Sequence, residues 1–483
     1  MTTSPDLSAE APPTPRSGSA TVSAATQIGA RAAHFALNVV STLAIVRYLA
    51  PEAYGSYVLV VTVVTLVGVT ADFGLPKLAV REIVHKIDDQ NEIIGTVSAI
   101  RLTFAVVAMG LCQVVLLVLD EPLVVHQAAA VASLMLVLDA VLGIVVVVFQ
   151  VHVVQQYEAL VRVAAEALET ALILILIAMH VSLLGLFVPP VIGLAFGAAL
   201  AYGLARFRFG LRPRPVRSRV RHLVVEALPL GPALIISVLY LKLDSLILAA
   251  MRPPRDLGVY ASAYQPVEYA FLATGILSNV MFPMLARAWA EGDRERFRQM
   301  YRRGTELLVI ATALAPILLA FTAPSVIKLV FGSAYLDAAS PLRILSIALV
   351  TMSVNAWQAL VLLSGGEQRI TLIYNAGALA FALVGCTVGV WLLGLVGAAV
   401  SALATSLIVL VASQRAVRHR MGAALDHRQL LKILTAAGGA AGVAGGLYLI
   451  HAHWVVIAVV TVIAYAVALH RFGFHRSIRE VYA

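Results

Sequence analysis

The sequence predicts an all-α polytopic membrane protein that crosses the bilayer about fourteen times. Hydrophobic residues make up 60% of the 483-residue chain and charged residues only 13%, with a mean hydropathy of +0.91. Soluble domains contain roughly 25% charged residues, so this composition excludes a soluble fold. The apolar residues fall into runs of about 20, the length at which a helix spans a bilayer. The placement of the basic residues and an internal repeat then organise these runs.

The predicted spans account for most of the chain. They lie near residues 25–48, 54–73, 96–119, 125–148, 160–179, 184–205, 227–250, 258–283, 304–322, 340–363, 370–392, 395–415, 431–450 and 454–470. Before them, residues 1–21 are rich in Pro, Ser, Thr and Ala and lack the apolar core of a signal peptide. We expect this segment to be a disordered cytoplasmic tail that is not cleaved.

Basic residues set the orientation of the spans. Most of the 35 Lys and Arg residues fall in alternate loops. Only five fall in loops on the other side: Arg47, Arg252, Arg255, Lys328 and Arg343. Because short cytoplasmic loops are enriched in Lys and Arg, both termini are predicted to be cytoplasmic. This distribution in short runs between spans also argues against nucleic-acid binding, despite the net charge of +9.

Three pairs of short motifs reveal an internal repeat. The pairs are Pro-x-x-x-Gly-x-Tyr at 51–57 and 254–260, Pro-x-Leu-Ala at 76–79 and 283–286, and Leu-Leu-Gly-Leu at 183–186 and 392–395. Each pair falls between equivalent spans, six spans apart. Six is an even number, so both copies enter the membrane in the same sense. The sequence therefore predicts two parallel six-helix repeats around a central cavity, followed by two extra helices.

These repeats divide the chain into segments. An N-terminal lobe is expected at 22–205, a basic cytoplasmic linker at 206–226 and a C-terminal lobe at 227–420. The last segment, 421–483, holds the two extra helices and a cytoplasmic tail. The arginines of the linker either fix the topology or contact anionic lipid head groups.

Polar residues inside the first span mark a candidate cavity. Arg31, His34 and Asn38 follow one another at i, i+3 and i+7, so they share one helical face. A charge at membrane depth costs about 2.5–3.5 kcal/mol, so this face should look into a polar interior. Asp139, in the fourth span, lies within about 5 Å of the depth of Arg31. Either the two residues form an ion pair or each faces a wet cavity separately.

The second lobe carries its own charged residues. Lys242 and Asp244 are two positions apart and therefore do not share a face. Lys242 and Glu268 lie at the same predicted depth, which makes them the better candidate ion pair, although such a pair can be purely structural. Asp244 is expected to cap the outer end of the cavity. Gln265 adds an amide next to Glu268.

Further polar groups occur in the tenth and eleventh spans. The tenth span carries Asn355, Trp357 and Gln358, and the eleventh carries Tyr374 and Asn375. Amides and aromatic rings are the groups that sugar recognition uses. The alternative is amide hydrogen bonding between helices.

The fifth span opens with a charged run, Glu158, Arg162, Glu166 and Glu169, at helical spacings. Such i, i+4 neighbours are typical of a solvated cytoplasmic face with local ion pairs.

Motifs of soluble enzymes are absent from the sequence. There is no G-x-x-x-x-G-K-[ST], H-E-x-x-H, C-x-x-C or G-x-S-x-G, so we predict no catalytic residue, no metal and no cofactor. Cys112 and Cys386 both fall within apolar spans and are expected to be small core residues.

Several segments together resemble a known family. RYLAPEAYGSY, ADFGLPKLAVREI, LKLDSLILAAM with LGVYASAYQ, and LLGLVGAAVSALAT resemble the polysaccharide-transporter (Wzx-type flippase) family. That family belongs to the multidrug/oligosaccharidyl-lipid/polysaccharide exporter superfamily, abbreviated MOP. The resemblance covers residues 22–420.

This resemblance implies a function and a location. It implies alternating access that moves undecaprenyl-diphosphate-linked oligosaccharide across the bacterial inner membrane, for O-antigen, capsule or exopolysaccharide synthesis. Arg31 and Lys242 match the basic cavity residues that the family is thought to use for the diphosphate. Coupling to an ion gradient or to the membrane potential would fall to Asp139, Asp244 and Glu268. The implied partners are the lipid-linked oligosaccharide and membrane lipids, with a polysaccharide polymerase and a chain-length regulator as further candidates.

Three alternatives stay open. Multidrug exporters of the superfamily bind organic cations and commonly carry an acid in their first helix, where this chain has Arg31 and His34. Lipid II flippases are nearer, because they share a basic cavity and fourteen helices. A membrane polymerase or ligase would place catalytic Arg or His residues in a long outer loop, and this chain has no such loop.

Overall fold

A computed structural model of the protein describes residues 17–228, 230–472 and 474. The N-terminal lobe consists of α1 (Ser17–Tyr48), α2 (Pro51–Asp72), α3 (Leu75–His85), α4 (Gln90–Val118), α5 (Leu123–Val151), α6 (Gln155–Ala178) and α7 (Val188–Phe209). After α8 (Arg217–Ala227), the C-terminal lobe consists of α9 (Leu230–Met251), α10 (Pro254–Ala290), α11 (Arg294–Val330), α12 (Ala339–Ser364), α13 (Gln368–Leu393) and α14 (Leu395–Ala416). The chain continues with α15 (His427–Leu449) and α16 (Trp454–Arg471).

These helices confirm the predicted fold class. Within the described part, thirteen helical segments are long and apolar enough to cross a membrane. The other predicted span, α6, has the required length but carries Arg162, Glu166 and Glu169 in its apolar stretch. The two short helices α3 and α8 were not among the predicted spans. The side on which the termini lie stays a prediction.

The predicted boundaries differ from the structure mainly at helix ends. α1 begins at Ser17, so the last residues of the predicted tail 1–21 are helical, and the earlier ones lie outside the described residues. The end of the predicted C-terminal tail, 475–483, also lies outside them. α10 and α11 are each 37 residues long, about 55 Å, and therefore extend well beyond the hydrocarbon core.

The two lobes repeat one packing pattern. α4 packs on α5 and α6 packs on α7, while α11 packs on α12 and α13 packs on α14. Likewise α1 packs on α6 and α9 packs on α13. The extra helices α15 and α16 pack on α11. The lobes meet where α2 lies against α9 and α10, so α2 is the central element of the interface.

The basic linker is held on the N-terminal lobe. The backbone N–H of Arg214 donates to the carbonyl of Asn91 at 2.9 Å, and the N–H of Val216 donates to Thr96 Oγ1 at 2.9 Å. Arg219 then reaches Asp89 at 2.7 Å. The segment predicted as a linker is therefore packed on the first lobe.

Both Cys112 and Cys386 are free and buried in the hydrophobic core, as their apolar surroundings predicted. The core cluster that contains them includes buried residues of both lobes, among them Val60 of α2 and Tyr260 of α10. The interface between the lobes is therefore part of the main core.

Candidate transport cavity

Two chambers lie in series between the lobes. We call outer the end that carries the α1–α2 connection, on the side predicted to be extracytoplasmic, and inner the opposite end. The inner chamber, of about 540 Å³, is lined by α1, α6 and Leu272 of α10. The outer chamber, of about 500 Å³, is lined by α1, α2, α9 and α10. Asn38 and Leu272 line both chambers, so the two spaces adjoin at this level.

The structure brings Arg31, His34 and Asn38 together on the wall of the inner chamber. The i, i+3, i+7 spacing predicted this common face. His34 Nε2 lies 3.9 Å from Glu166 Oε2, whereas Arg31 forms no ion pair with another described residue. The chemistry of a guanidinium without a counter-ion at the wall of a cavity suits an anion.

The charged start of α6 belongs to the same chamber. Glu158 and Arg162 line it, and Arg162 Nε donates to Glu158 Oε1 at 3.0 Å. The prediction of a local i, i+4 pair was right, but these residues face the cavity and not only bulk solvent. Deeper along α6, Glu166 is only 13% exposed, so it is not part of a solvated face.

A contact between the lobes separates the chambers. The Tyr269 hydroxyl of α10 donates to Asn38 Oδ1 at 3.3 Å, and the Tyr269 ring packs edge-on against Phe35 at 5.4 Å between ring centres. This contact joins α1 to α10 at mid-depth. Its side chains therefore lie at the level where the two chambers adjoin.

The predicted ion pair of the second lobe is present. Lys242 Nζ lies 3.2 Å from Glu268 Oε1, and both residues line the outer chamber together with Gln265. The side chains are 28% and 41% exposed, so the pair is accessible from the chamber. Pro266, next to Gln265, removes one backbone donor from this part of α10.

Asp244 does not face the outer chamber. Its carboxylate accepts from the Tyr260 hydroxyl at 2.6 Å and from the Ser245 N–H at 2.8 Å. It lines a separate space of about 40 Å³ within the C-terminal lobe, next to Ser401. The expectation that Asp244 caps the outer end of the cavity was therefore wrong, because it points to the other side of α9 from Lys242.

Asp139 pairs with Arg101 and not with Arg31. The Arg101 guanidinium, only 2% exposed, lies 2.9 Å from Asp72 and 3.2 Å from Asp139, and it also donates to the carbonyl of Ala140 at 3.1 Å. The proposed Arg31–Asp139 pair was wrong. The sequence signal for the correct pair was Arg101 itself, a charge inside a span that needed a partner.

The two amides of α12 have different environments. Gln358 is fully buried, where it donates to the Tyr301 hydroxyl at 3.0 Å and to Gln414 at 2.7 Å. Gln358 lines neither chamber. Its hydrogen bonds join helices, which was the alternative to sugar recognition in the sequence analysis. Asn355 lines a fourth space of about 170 Å³, which we call the C-lobe pocket; its polar residues are Tyr240, Asn355, Tyr374 and Asn375.

The lobes close tightly at the outer end. A Cβ at Gly55 would lie 2.6 Å from the carbonyl carbon of Pro254, and a Cβ at Gly258 would lie 3.0 Å from that of Pro51. The equivalent glycines of the repeated motif thus cross backbone to backbone.

Side chains reinforce this crossing. The Tyr335 hydroxyl donates to the carbonyls of Leu49 and Val46 at 2.9 and 3.2 Å, and Arg47 donates to the carbonyl of Val330 at 2.8 Å. We call these contacts, with the crossing of Gly55 and Gly258, the outer seal.

One group of potential metal ligands lies away from the chambers. The ligand atoms of Glu82, His222 and Glu226 lie within 4.8 Å of one another, on α3 and α8. Arg81 already forms ion pairs with both carboxylates, with Glu226 and, at 3.6 Å, with Glu82. The group belongs to the contact between the linker and the first lobe.

Comparisons with known proteins agree with this architecture. A family model described as "Polysaccharide biosynthesis protein" matches residues 44–340, which is more than half of the chain. No curated protein sequence matches the chain at a significant level.

Solved structures match over nearly the whole fold. The lipid II flippase MurJ in an inward closed conformation superposes with a TM-score of 0.74 and 12% identity, covering 95% of this chain and 100% of that chain. An inward-facing multidrug resistance MATE family transporter of the MOP superfamily superposes with a TM-score of 0.67 and 14% identity, covering 80% of this chain and 94% of that chain. A MOP superfamily transporter from Pyrococcus furiosus superposes with a TM-score of 0.58 and 14% identity, covering 83% of this chain and 95% of that chain. The chain belongs to the polysaccharide biosynthesis protein family, and it has the multi-pass helical fold that is seen in the MurJ flippase and in MOP superfamily transporters.

Proposed function

We propose that the protein is a flippase that moves undecaprenyl-diphosphate-linked oligosaccharide across the bacterial inner membrane by alternating access. The observation that carries this proposal is the inner chamber. There Arg31 forms no ion pair with another described residue and lies beside His34, on the side predicted to face the cytoplasm. A lipid diphosphate is an anion that is made on that side. An unpaired guanidinium is suited to bind it with charge-assisted hydrogen bonds.

The two chambers suggest an order of events. Arg31 and His34 receive the diphosphate in the inner chamber, with Arg162 available after it leaves Glu158. The glycan then lies toward the outer chamber, where Lys242 and Gln265 offer donors. Opening of the outer seal releases the headgroup on the other side, while the prenyl tail stays in lipid. No step makes or breaks a covalent bond, so the proposed activity is transport and not enzymatic.

Coupling to an ion gradient is the remaining part of the proposal. Glu268 is the best placed acid, because it faces the outer chamber and holds Lys242. Protonation of Glu268 would free Lys242 for an anionic ligand. Asp139 and Asp244 are weaker candidates, since each already accepts hydrogen bonds from a buried partner, Arg101 and Tyr260 respectively.

Transport by purified protein in proteoliposomes tests the proposal. The substrate is a polyprenyl-diphosphate oligosaccharide with a fluorescent label, and its appearance in the opposite leaflet is measured by quenching. We expect Arg31→Gln to weaken binding by about 10- to 150-fold, because a hydrogen bond to a charged group contributes about 1.5–3 kcal/mol. Arg296→Gln is the matched control, since Arg296 is an exposed arginine at the start of α11. Wild-type transport by Arg31→Gln would refute the diphosphate role.

The same vesicles separate the alternatives. Lipid II shares the undecaprenyl diphosphate, so it is offered in parallel with the oligosaccharide lipid, and the preferred substrate decides between two flippase functions. An organic dye cation tests multidrug export, and its accumulation in place of lipid transport would overturn the proposal. Imposed proton and sodium gradients test the coupling. Transport that ignores both gradients and the membrane potential would remove Glu268 from the mechanism.

A further inference from the structure

The arginines of the basic linker fall into two groups. Arg219 is held by the first lobe, where its Nη2 lies 2.7 Å from Asp89 Oδ2 and 3.1 Å from Glu92 Oε2. The other six are exposed and form no ion pair with a described residue: Arg206, Arg208, Arg212, Arg214, Arg217 and Arg221. The positive-inside rule accounts for the side on which these charges lie, but not for the surface that they form.

One face of α8 is packed on the first lobe. Arg219, Leu223 and Ala227 follow one another at i, i+4 and i+8, so they share this face. Leu223 and Ala227 are buried in the core of the lobe, where α8 packs on α3 and α4. This face is therefore already occupied.

The opposite face of α8 combines charge with apolar surface. Arg217, Arg221 and Val225 each precede a residue of the packed face by two positions, which turns them about 200° away from it. Leu228, directly after the helix, continues on the same side. Val225 is 59% exposed and Leu228 is 57% exposed. We call these four residues the outward face of α8.

A similar combination occurs at the end of α7. Phe207 is 87% exposed and lies between Arg206 and Arg208 in the sequence. Basic residues beside exposed aromatic and aliphatic side chains are typical of helices that lie in a membrane interface. Exposure to water alone would leave these apolar side chains unfavourably hydrated.

The linker lies at the level where lipid head groups are expected. Its backbone N–H groups donate to Asn91 and Thr96, in the first two turns of α4. α4 has 29 residues, whereas about 20 span the hydrocarbon core. The far end of α4 is apolar and exposed at Leu117 and Val118, which suits lipid. The polar first turns of α4, with the linker bound to them, therefore extend beyond the core.

We propose that the outward face of α8, together with the arginines around Phe207, binds the head groups of anionic phospholipids at the inner membrane surface. Guanidinium groups bind phosphate oxygens with charge-assisted hydrogen bonds. The exposed apolar side chains enter the boundary between head groups and acyl chains. They favour a lipid over free phosphate, which offers no apolar partner. The inference does not depend on the flippase function.

Quenching of a single fluorophore in the full-length protein tests this surface. Val225→Cys carries the fluorophore, since the native Cys112 and Cys386 are buried. The protein is placed in nanodiscs of phosphatidylcholine with a minor fraction of phosphatidylglycerol. A nitroxide quencher is attached to one lipid or to the other, so the bilayer is the same in both samples. The ratio of the two quenching efficiencies per labelled lipid measures the enrichment of the anionic lipid at α8.

The double variant Arg217→Gln/Arg221→Gln removes both arginines of the outward face. Arg296→Gln/Arg302→Gln is the matched control, since both residues are exposed arginines of α11. The wild type and the control should show the same enrichment of phosphatidylglycerol. The double variant should lower it by about 5- to 30-fold, because one arginine near an anionic surface contributes a factor of about 5.

Salt gives a second measurement that needs no variant. At about 1 M salt the Debye length falls to about 3 Å, so the enrichment in the wild type should fall toward equality. Should the double variant fail to fold in a thermal unfolding scan, this salt dependence still tests the proposal. Enrichment that is insensitive to salt would contradict it.

Three further outcomes overturn the proposal. The first is equal quenching by the two lipids in the wild type, and the second is enrichment that survives in the folded double variant. The third comes from competition with inorganic phosphate or a short oligonucleotide at constant ionic strength. Displacement of the lipid by either would make the arginines a general anion site and not a lipid surface.

Discussion

The crossing of Gly55 and Gly258 predicts a strong effect of one added methyl group. A Cβ at Gly55 would lie 2.6 Å from the carbonyl carbon of Pro254, whereas non-bonded carbon atoms normally lie about 3.5–4.0 Å apart. α2 and α10 would have to separate by roughly 1 Å or more at the outer end. Overpacking of this kind costs about 1–3 kcal/mol. Since the strain exists only while the outer seal is closed, Gly55→Ala should raise the ratio of open to sealed protein by roughly 5- to 150-fold.

Distance measurements between spin labels detect this shift. The labels are attached to cysteines introduced by Ser182→Cys and Ser333→Cys. Ser182 lies at the outer end of the N-terminal lobe and Ser333 at the outer end of the C-terminal lobe, and both serines are exposed. The native Cys112 and Cys386 are buried and should not compete for the label. Gly55→Ala should move population to the longer distance.

Glycine replacements elsewhere serve as controls. Gly110→Ala on α4 should leave the distances unchanged, because nothing lies within 4 Å of a Cβ there. Gly258→Ala should act like Gly55→Ala. The two changes together should be less than additive, since both add strain at one crossing and a single separation of the helices relieves both. Identical distance distributions for Gly55→Ala and Gly110→Ala would refute the reasoning that the outer seal depends on these glycines.

Two charge clusters give further predictions. The double variant Asp72→Ala/Asp139→Ala should destabilise the protein by about 3–5 kcal/mol, because it leaves the buried Arg101, 2% exposed, without an acid. Arg101→Leu should destabilise it less. The two carboxylates that this variant leaves unpaired are 41% and 62% exposed, so water can hydrate them. Thermal unfolding in detergent measures both, and equal losses would contradict the asymmetry. For Lys242 and Glu268, a double-mutant cycle should give a coupling free energy of about 1 kcal/mol or less, because both side chains are accessible to water. A coupling free energy above about 2 kcal/mol would contradict this and would indicate an ion pair from which water is excluded.

The success of the Lys242–Glu268 prediction and the failure of Arg31–Asp139 have one physical cause. Depth in the membrane can be counted from the sequence at 1.5 Å per residue, and both pairs matched in depth. Lys242 and Glu268 lie on α9 and α10, which only two residues connect, so the helices must be neighbours. Arg31 and Asp139 lie on α1 and α5, whose adjacency depends on how the whole lobe packs.

Arg101 shows what neighbour information adds. α4 packs against both α2 and α5, so Arg101 reaches Asp72 and Asp139 at once. The sequence contained all three charges but not the order of helices around the lobe. Asp244 was misplaced for a related reason. Its separation from Lys242 on the helix was predicted correctly, yet which face met the outer chamber depended on the packing of α9.

The repeated Pro-x-x-x-Gly-x-Tyr motif was the most informative pattern in the sequence. It predicted that the α1–α2 and α9–α10 connections are equivalent, and the structure places them in direct contact. Glycine is required at both sites because two backbones approach each other there, each at the start of a helix with proline in its first turn. The tyrosine of the motif has a different role in each copy. Tyr57 stacks on Phe187, whereas the Tyr260 hydroxyl donates a hydrogen bond to Asp244.

The contacts between the lobes differ along the transport path, and this difference explains which end is closed. At the outer end, backbone meets backbone at Gly55 and Gly258, and Tyr335 binds two carbonyls of the other lobe. At mid-depth, the described contact is between side chains, with Tyr269 and Asn38 joined by one hydrogen bond of 3.3 Å. Side chains can change rotamer while the helices stay in place, whereas a backbone crossing separates only when the helices move. For the flippase function proposed above, passage between the chambers would therefore need only side-chain rearrangement, whereas release at the outer end would need α2 and α10 to separate.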